Sequence, residues 1–188
     1  KIIEMVRNPL YLIPHWYSYL DRIGTHPRDL YVAINYQGQS LPWFARGWED
    51  KYLASNKMDR VIFLLERLTQ IENENLDALD ETTGKQVLVI PFERFVVEPQ
   101  PYLDHIGALL DSRVTGLTKR TLRKEKVPRR LTTAGRDLPI YRRYHWQPPS
   151  QRSAESDEFQ SRWDDVAKEA TAEGMETLES MCAAYSEH

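Results

Sequence analysis

KIIEMVRNP, residues 1–9, sets the reading of this chain. Ile2, Ile3, Met5 and Val6 surround a single acid and predict a β-strand over about residues 1–6, which runs straight into a charged residue and an Asn-Pro turn. A second apolar run, QVLVIPFERF at residues 86–95, is continuous rather than alternating, the pattern of a strand buried on both faces. Long helical patterns lie between and after these runs. Val61, Ile62, Leu64, Leu65, Leu68, Ile71, Leu76 and Leu79 recur at three- and four-residue spacing and predict a helix over 58–79. Tyr102, Leu103, Ile106, Leu109 and Leu110 predict another after Pro99. Phe159, Trp163, Val166, Ala170, Leu178, Met181, Cys182 and Tyr185 predict a C-terminal helix over 155–187, with Gly174 as its weak point. Strands alternating with helices of this length predict an α/β layer fold, a parallel sheet flanked by helices.

The aromatic segment from Tyr11 to Tyr19 reads as helix, with Pro14 in its first turns or at a kink. Residues 25–50, carrying Pro27, Gly38, Pro42 and Gly47, read as irregular. Within them Trp43, Phe44 and Trp48, with Tyr52 just beyond, form either an aromatic platform for a ligand or packing onto the core. With 188 residues the chain fits one domain spanning 1–188. At 41% apolar and 28% charged residues its balance is that of a globular chain, not a disordered one. No apolar run approaches the roughly 20 residues of a membrane span, and the N-terminus lacks the pattern of a signal peptide, which makes a cytoplasmic location the expectation. The lone Cys182 excludes an intrachain disulfide and a multi-cysteine metal site, so no metal is expected, and its helical setting predicts a buried thiol.

Charge is distributed unevenly. Residues 113–143 hold eleven Lys/Arg against Glu125 and Asp137, a net of +9, whereas residues 155–188 hold ten Asp/Glu against Arg162 and Lys168, a net of −8. This pattern predicts either an anion-binding segment followed by an acidic helix, or two faces that neutralise one another. Pro128, Gly135, Pro139, Pro148 and Pro149 predict extended loops for the basic segment, 113–150. Nucleic acid is not the expected partner, because Tyr141, Tyr144 and Trp146 cluster at one end of that segment and overall charge is −3.

In parallel sheets, ligands bind beyond the carboxyl ends of the strands, where Arg7 is placed. A guanidinium there offers a planar fork of donors for two phosphate oxygens. The alternative is a surface salt bridge.

The strand ending in Arg7-Asn8-Pro9, followed some 80 residues later by VLVIPFERFVVEP and the helix YLDHIGALL, resembles the sulfotransferase family over roughly residues 1–145. The resemblance implies a P-loop-kinase-like fold and a donor, 3′-phosphoadenosine 5′-phosphosulfate, whose sulfuryl group passes to a hydroxyl or amine of a carbohydrate, phenolic or other small-molecule acceptor. It implies that Arg7 holds the donor's 3′-phosphate and that Phe92, where the family often has Tyr, packs on the adenine. The family's phosphate-binding serine falls at His15, whose ring N–H can also donate, more strongly when protonated; Ser18 lies one turn further on. A late basic loop closes over the same phosphate, which points to Lys126, Arg129, Arg130, Gly135 and Arg136. The family's phosphosulfate loop has no counterpart among these residues, since all eight glycines are isolated, and in the family the general base also lies upstream of the Arg-Asn-Pro turn. The resemblance therefore implies that the N-terminal strand, that loop and the base lie upstream of Lys1. A catalytically inactive binding or scaffold module with the same fold is the alternative, and His15 in place of serine favours it.

Overall fold

The computed structural model describes residues 1–21, 32–84, 86–135 and 154–187. It is an α/β arrangement with a small parallel sheet. Strand β1 (Ile2–Val6) pairs in parallel with β4 (Val87–Pro91), in a register that sets Ile2 against Val87 and Val6 against Pro91. The two carboxyl ends therefore finish side by side.

Each strand turns directly into a helix. Asn8 caps helix α1 (Pro9–Leu20), its side chain accepting from the Leu10 N–H at 3.0 Å, and Pro9 fills the first helical position, where a missing N–H removes no bond. Pro14 lies inside α1, which continues through it. β4 passes into α5 (Phe92–Val97) and then α6 (Pro99–Leu110). The apolar run at 86–95 is thus strand only as far as Pro91; Phe92 opens a helix. Nor is β4 buried on both faces along its length, since Val87, Leu88 and Val89 are half-buried and only Ile90 and Pro91 are buried. Among the described residues the parallel sheet has two strands, and Ile2, Ile3 and Met5 of β1 are exposed.

The main core is helical. Helix α3 (Lys57–Asp77), begun by Asn56 accepting from the Asp59 N–H at 2.9 Å, packs against α1 and the C-terminal helix. Leu10, Ile13, Val61, Ile62, Leu178 and Cys182 meet there, buried. Residues 25–50, read as irregular, contain from residue 32 onward a hairpin of β2 (Ala33–Tyr36) and β3 (Gln39–Pro42). Gln37 and Gly38 both take positive φ, 50° and 79°, the geometry of a two-residue turn whose twist matches its strands. A single 3-10 turn (Trp43–Ala45) and α2 (Glu49–Ala54) follow, and Leu41, Phe44 and Tyr52 close a second core over Leu64. Phe44 and Tyr52 are therefore packing residues, while Trp43 stays half exposed.

Two further readings are corrected. The basic segment begins not as a loop but as helix α7 (Gly116–Lys124), capped reciprocally by Thr115 and Thr118; its loop-forming residues start only at Pro128. The C-terminal helix is two, α8 (Glu155–Ala167) and α9 (Ala172–Ser186). The break precedes Gly174, because Thr171 caps α9 through the Gly174 N–H at 3.2 Å and its own N–H is held by Asp59 Oδ1 at 3.0 Å. The one-turn α4 (Glu81–Gly84) completes the order. Among the described residues, no helix is long and apolar enough to cross a membrane.

One contact between layers is acid on acid. The Glu72 carboxyl of α3 shares a hydrogen bond with Glu4 of β1, and that bond, with partial burial and the neighbouring charge, pushes Glu72 up from 4.5 to about 7. A raised folded-state value stabilises the fold fully below the unfolded value and loses that contribution as pH rises through about 7. Glu72 is largely exposed, so screening limits the effect to about 1 kcal/mol between pH 5 and pH 8. Urea denaturation at the two pH values is expected to show this difference in the wild-type chain and its loss in Glu72→Gln; an unchanged difference in the variant would place its source elsewhere.

Candidate anion-binding site

The parallel register brings Arg7 and Phe92, each the first residue beyond its strand, into contact: the guanidinium carbon of Arg7 lies 4.7 Å from the ring centroid. The next residue, Glu93, sits in the first turn of α5 and fixes the arginine. Its Oε1 accepts from Arg7 Nε at 3.3 Å, and its Oε2 accepts from the Asn8 N–H at 3.1 Å and from the Tyr185 hydroxyl at 2.5 Å. The Arg7 side chain is 29% exposed and that of Glu93 12%, so the pair opens to solvent from the arginine's side.

A second arginine arrives from the late basic segment. The Arg129 N–H donates to the Val96 carbonyl at 2.7 Å, docking that loop on the end of α5, and its Nη1 donates to the Thr132 carbonyl at 2.9 Å. Its guanidinium carbon lies 5.5 Å from the same Phe92 ring. Gly135 leaves room for that group: a Cβ there would stand 3.0 Å from its two terminal nitrogens and central carbon. The loop is tied down further by Glu155 of α8, which accepts from the buried Thr132 N–H at 3.0 Å and from the Tyr11 hydroxyl of α1 at 2.9 Å. Burial, then Glu155, pushes the Tyr11 phenol up, so it remains a donor. Arg162 completes this flank, its guanidinium 5.0 Å from the Tyr11 ring and its Nε 2.5 Å from Glu158.

His15 lies on α1 two turns into the helix. Burial, with Arg7 and then Arg162 adding repulsion, lowers its pKa below the ordinary 6.5 and so disfavours the charged ring. It brings a polar ring to the site, and the shift works against the protonated form considered above.

The structure thus gathers Arg7, Phe92, Arg129 and Gly135, with His15 close enough to feel Arg7. Ser18 is half-buried on α1, about 4.5 Å further along the helix axis than His15. Arg130 is exposed, as is Lys126, whose Nζ donates to the Gly135 carbonyl at 3.5 Å. Arg136 lies outside the described residues. Three members escaped sequence reasoning. Glu93 stood inside the quoted strand-end motif but was not assigned a role there, Glu155 had only its place at a helix start, and Tyr185 read as one more apolar position of a helix.

Two features stand apart from this cluster. A groove of about 340 Å³ between α6 and α7 is lined by Leu103, Asp104, Gly107, Ser112 and Lys119 among others, and by none of the clustered residues. The exposed side of α7 carries Lys119, Arg120, Arg123 and Lys124.

No family model, no curated protein and no solved structure matches the chain. The functional reading therefore rests on the residues and their geometry.

Proposed function

We propose that this chain carries the 3′-phosphate-binding part of a sulfotransferase, which moves a sulfuryl group from 3′-phosphoadenosine 5′-phosphosulfate to a hydroxyl or amine of a carbohydrate or small-molecule acceptor. The observation that supports this reading is the meeting of Arg7 and Arg129 on one aromatic ring, at the carboxyl edge of a parallel sheet. The residues come from the strand-end turn and the late basic loop, the two segments that this reading requires to converge.

The arrangement suits a dianionic phosphate. Among the described residues Arg7 donates to Glu93 through Nε alone, which leaves its terminal nitrogens to grip two oxygens in a planar fork, and Arg129 adds a second positive charge. Phe92 holds both guanidinium groups by its π-face and thereby sets their spacing. His15, whose charged form is disfavoured there, still offers a ring N–H to an anion. In the reaction proposed, the acceptor oxygen or nitrogen attacks sulfur in line, the bond from sulfur to the 5′-phosphate oxygen breaks, and adenosine 3′,5′-bisphosphate leaves. The acceptor's proton passes to a base that these residues do not identify. The work of this cluster is to bind and orient the nucleotide.

A second reading, a non-catalytic module that retains the fold, draws support from the hold of Glu93 on Arg7 and from the lowered pKa of His15. Calorimetric titration with adenosine 3′,5′-bisphosphate, and with adenosine 5′-monophosphate as control, separates the two. A charge-assisted phosphate contact is worth about 1.5–3 kcal/mol, so the bisphosphate is expected to bind roughly 10- to 100-fold more tightly. Arg7→Ala is expected to abolish that preference. Binding of both nucleotides with equal affinity overturns the donor-site reading and leaves the non-catalytic module ahead.

A further inference from the structure

We infer that Tyr185, in the last turn of α9, is a positioning residue for Arg7, acting through Glu93 to keep the terminal nitrogens of that arginine free for an anion. This deepens the nucleotide-site reading and rests on it for the identity of the anion.

The last turns of α9 lie across both turns that build the site. Cys182, Tyr185 and Ser186 share one helix face by their three- and four-residue spacing. Cys182 Sγ contacts Asn8 Oδ1 at 3.5 Å, in the turn after β1. The Tyr185 hydroxyl donates to Glu93, and the Ser186 carbonyl accepts from Arg94 Nη2 at 2.8 Å, both in the turn after β4. Leu178, one turn earlier on α9, is fully buried, which anchors the helix in the core. The end of α9 is thereby a brace between the two strand ends.

The chemistry of the brace lies in how Glu93 divides its oxygens. Oε2 is occupied by two donors, the Asn8 N–H and the Tyr185 hydroxyl, so only Oε1 turns to Arg7, and it takes Nε alone. Among the described residues, neither terminal nitrogen of Arg7 donates to a protein acceptor. Without the Tyr185 hydroxyl, Oε2 keeps one donor, and the carboxylate gains both freedom to rotate and undiluted charge. The favoured outcome for a free carboxylate beside a guanidinium is a two-bond fork. That fork would occupy Nε and one terminal nitrogen, and Glu93 would then compete with the incoming phosphate. Burial and the Glu93 partner push the Tyr185 phenol up, so the donor persists over the whole working pH range.

The test is Tyr185→Phe, which removes one oxygen and keeps the ring that packs in place. The affinity ratio between adenosine 3′,5′-bisphosphate and adenosine 5′-monophosphate is expected to fall about three- to tenfold, with monophosphate affinity unchanged. An unchanged ratio, while Arg7→Ala abolishes the preference, would overturn the inference and leave the nucleotide site standing. If Arg7→Ala itself changes nothing, the nucleotide reading has failed, and the positioning role is decided by a measurement that needs no ligand. The side-chain Nε–H resonance of Arg7, assigned by its loss in Arg7→Ala, is expected to shift in Tyr185→Phe as the carboxylate reorients. A resonance at its wild-type position in Tyr185→Phe would overturn the inference on its own.

Discussion

Gly174→Ala is expected to destabilise the protein by about 2 kcal/mol, although replacing glycine by alanine within a helix ordinarily stabilises by roughly 0.5–1 kcal/mol. The reversal comes from what α9 packs against. A Cβ at Gly174 would overlap Asp59 Oδ1 of α3 and stand 3.4 Å from Ile62 Cδ1. A flexible side chain could swing clear, but Asp59 cannot. It is 3% exposed, its Oδ1 accepts from the Thr171 N–H and its Oδ2 from Asn56 Nδ2 at 2.9 Å. Making room at Gly174 therefore breaks the hydrogen bond that starts α9, or lifts α9 off α3. Urea denaturation checks the sign, and a stabilised variant would show that the helices part freely. Combining Gly174→Ala with Asp59→Ala should cost clearly less than the two single losses added together, because the removed carboxylate is the obstacle.

Glu93→Ala is expected to cost more, about 3 kcal/mol. It strips three donors from three segments of one acceptor group: Arg7 Nε, the Asn8 N–H at the start of α1 and the Tyr185 hydroxyl at the end of α9. A hydrogen bond to a charged group contributes about 1.5–3 kcal/mol, and the total stays below three such bonds because Arg7 and Tyr185 are partly reached by water. Glu93→Gln should fall between wild type and Glu93→Ala, since an amide oxygen serves some of the donors while its NH₂ faces another. Denaturant midpoints for the two variants check this order. A loss below 1 kcal/mol in Glu93→Ala would mean that the strand ends are held by packing alone.

How far the sequence foretells this protein is clearest at β1 and β4. The strand at residues 2–6 and the long helix α3 follow from local patterns, because side-chain period is a property of neighbouring residues. The end of β4 does not. VLVIPFERF is apolar throughout, and a run of that kind fits a buried strand or the buried side of a helix equally well. Pro91 and the packing of Val96 decide that the helix begins at Phe92. The C-terminal region divides for a similar reason: Gly174 was visible as a weak point, but the partner that sets the break, Asp59, is 112 residues away in sequence.

The site divides along the same line. Sequence alone determined that Arg7 and Phe92 each stand near the end of an apolar run and that a basic, glycine-containing segment follows late in the chain. Only the tertiary structure decided that Arg7, Phe92 and Arg129 meet, that His15 is part-buried beside Arg7, and that Arg7 and Tyr185 both donate to Glu93. Residue type and local spacing fix what a side chain is able to donate and which way its backbone runs. Strand register, helix docking and burial, which arise from contacts between distant segments, fix what it donates to and whether it carries a charge there.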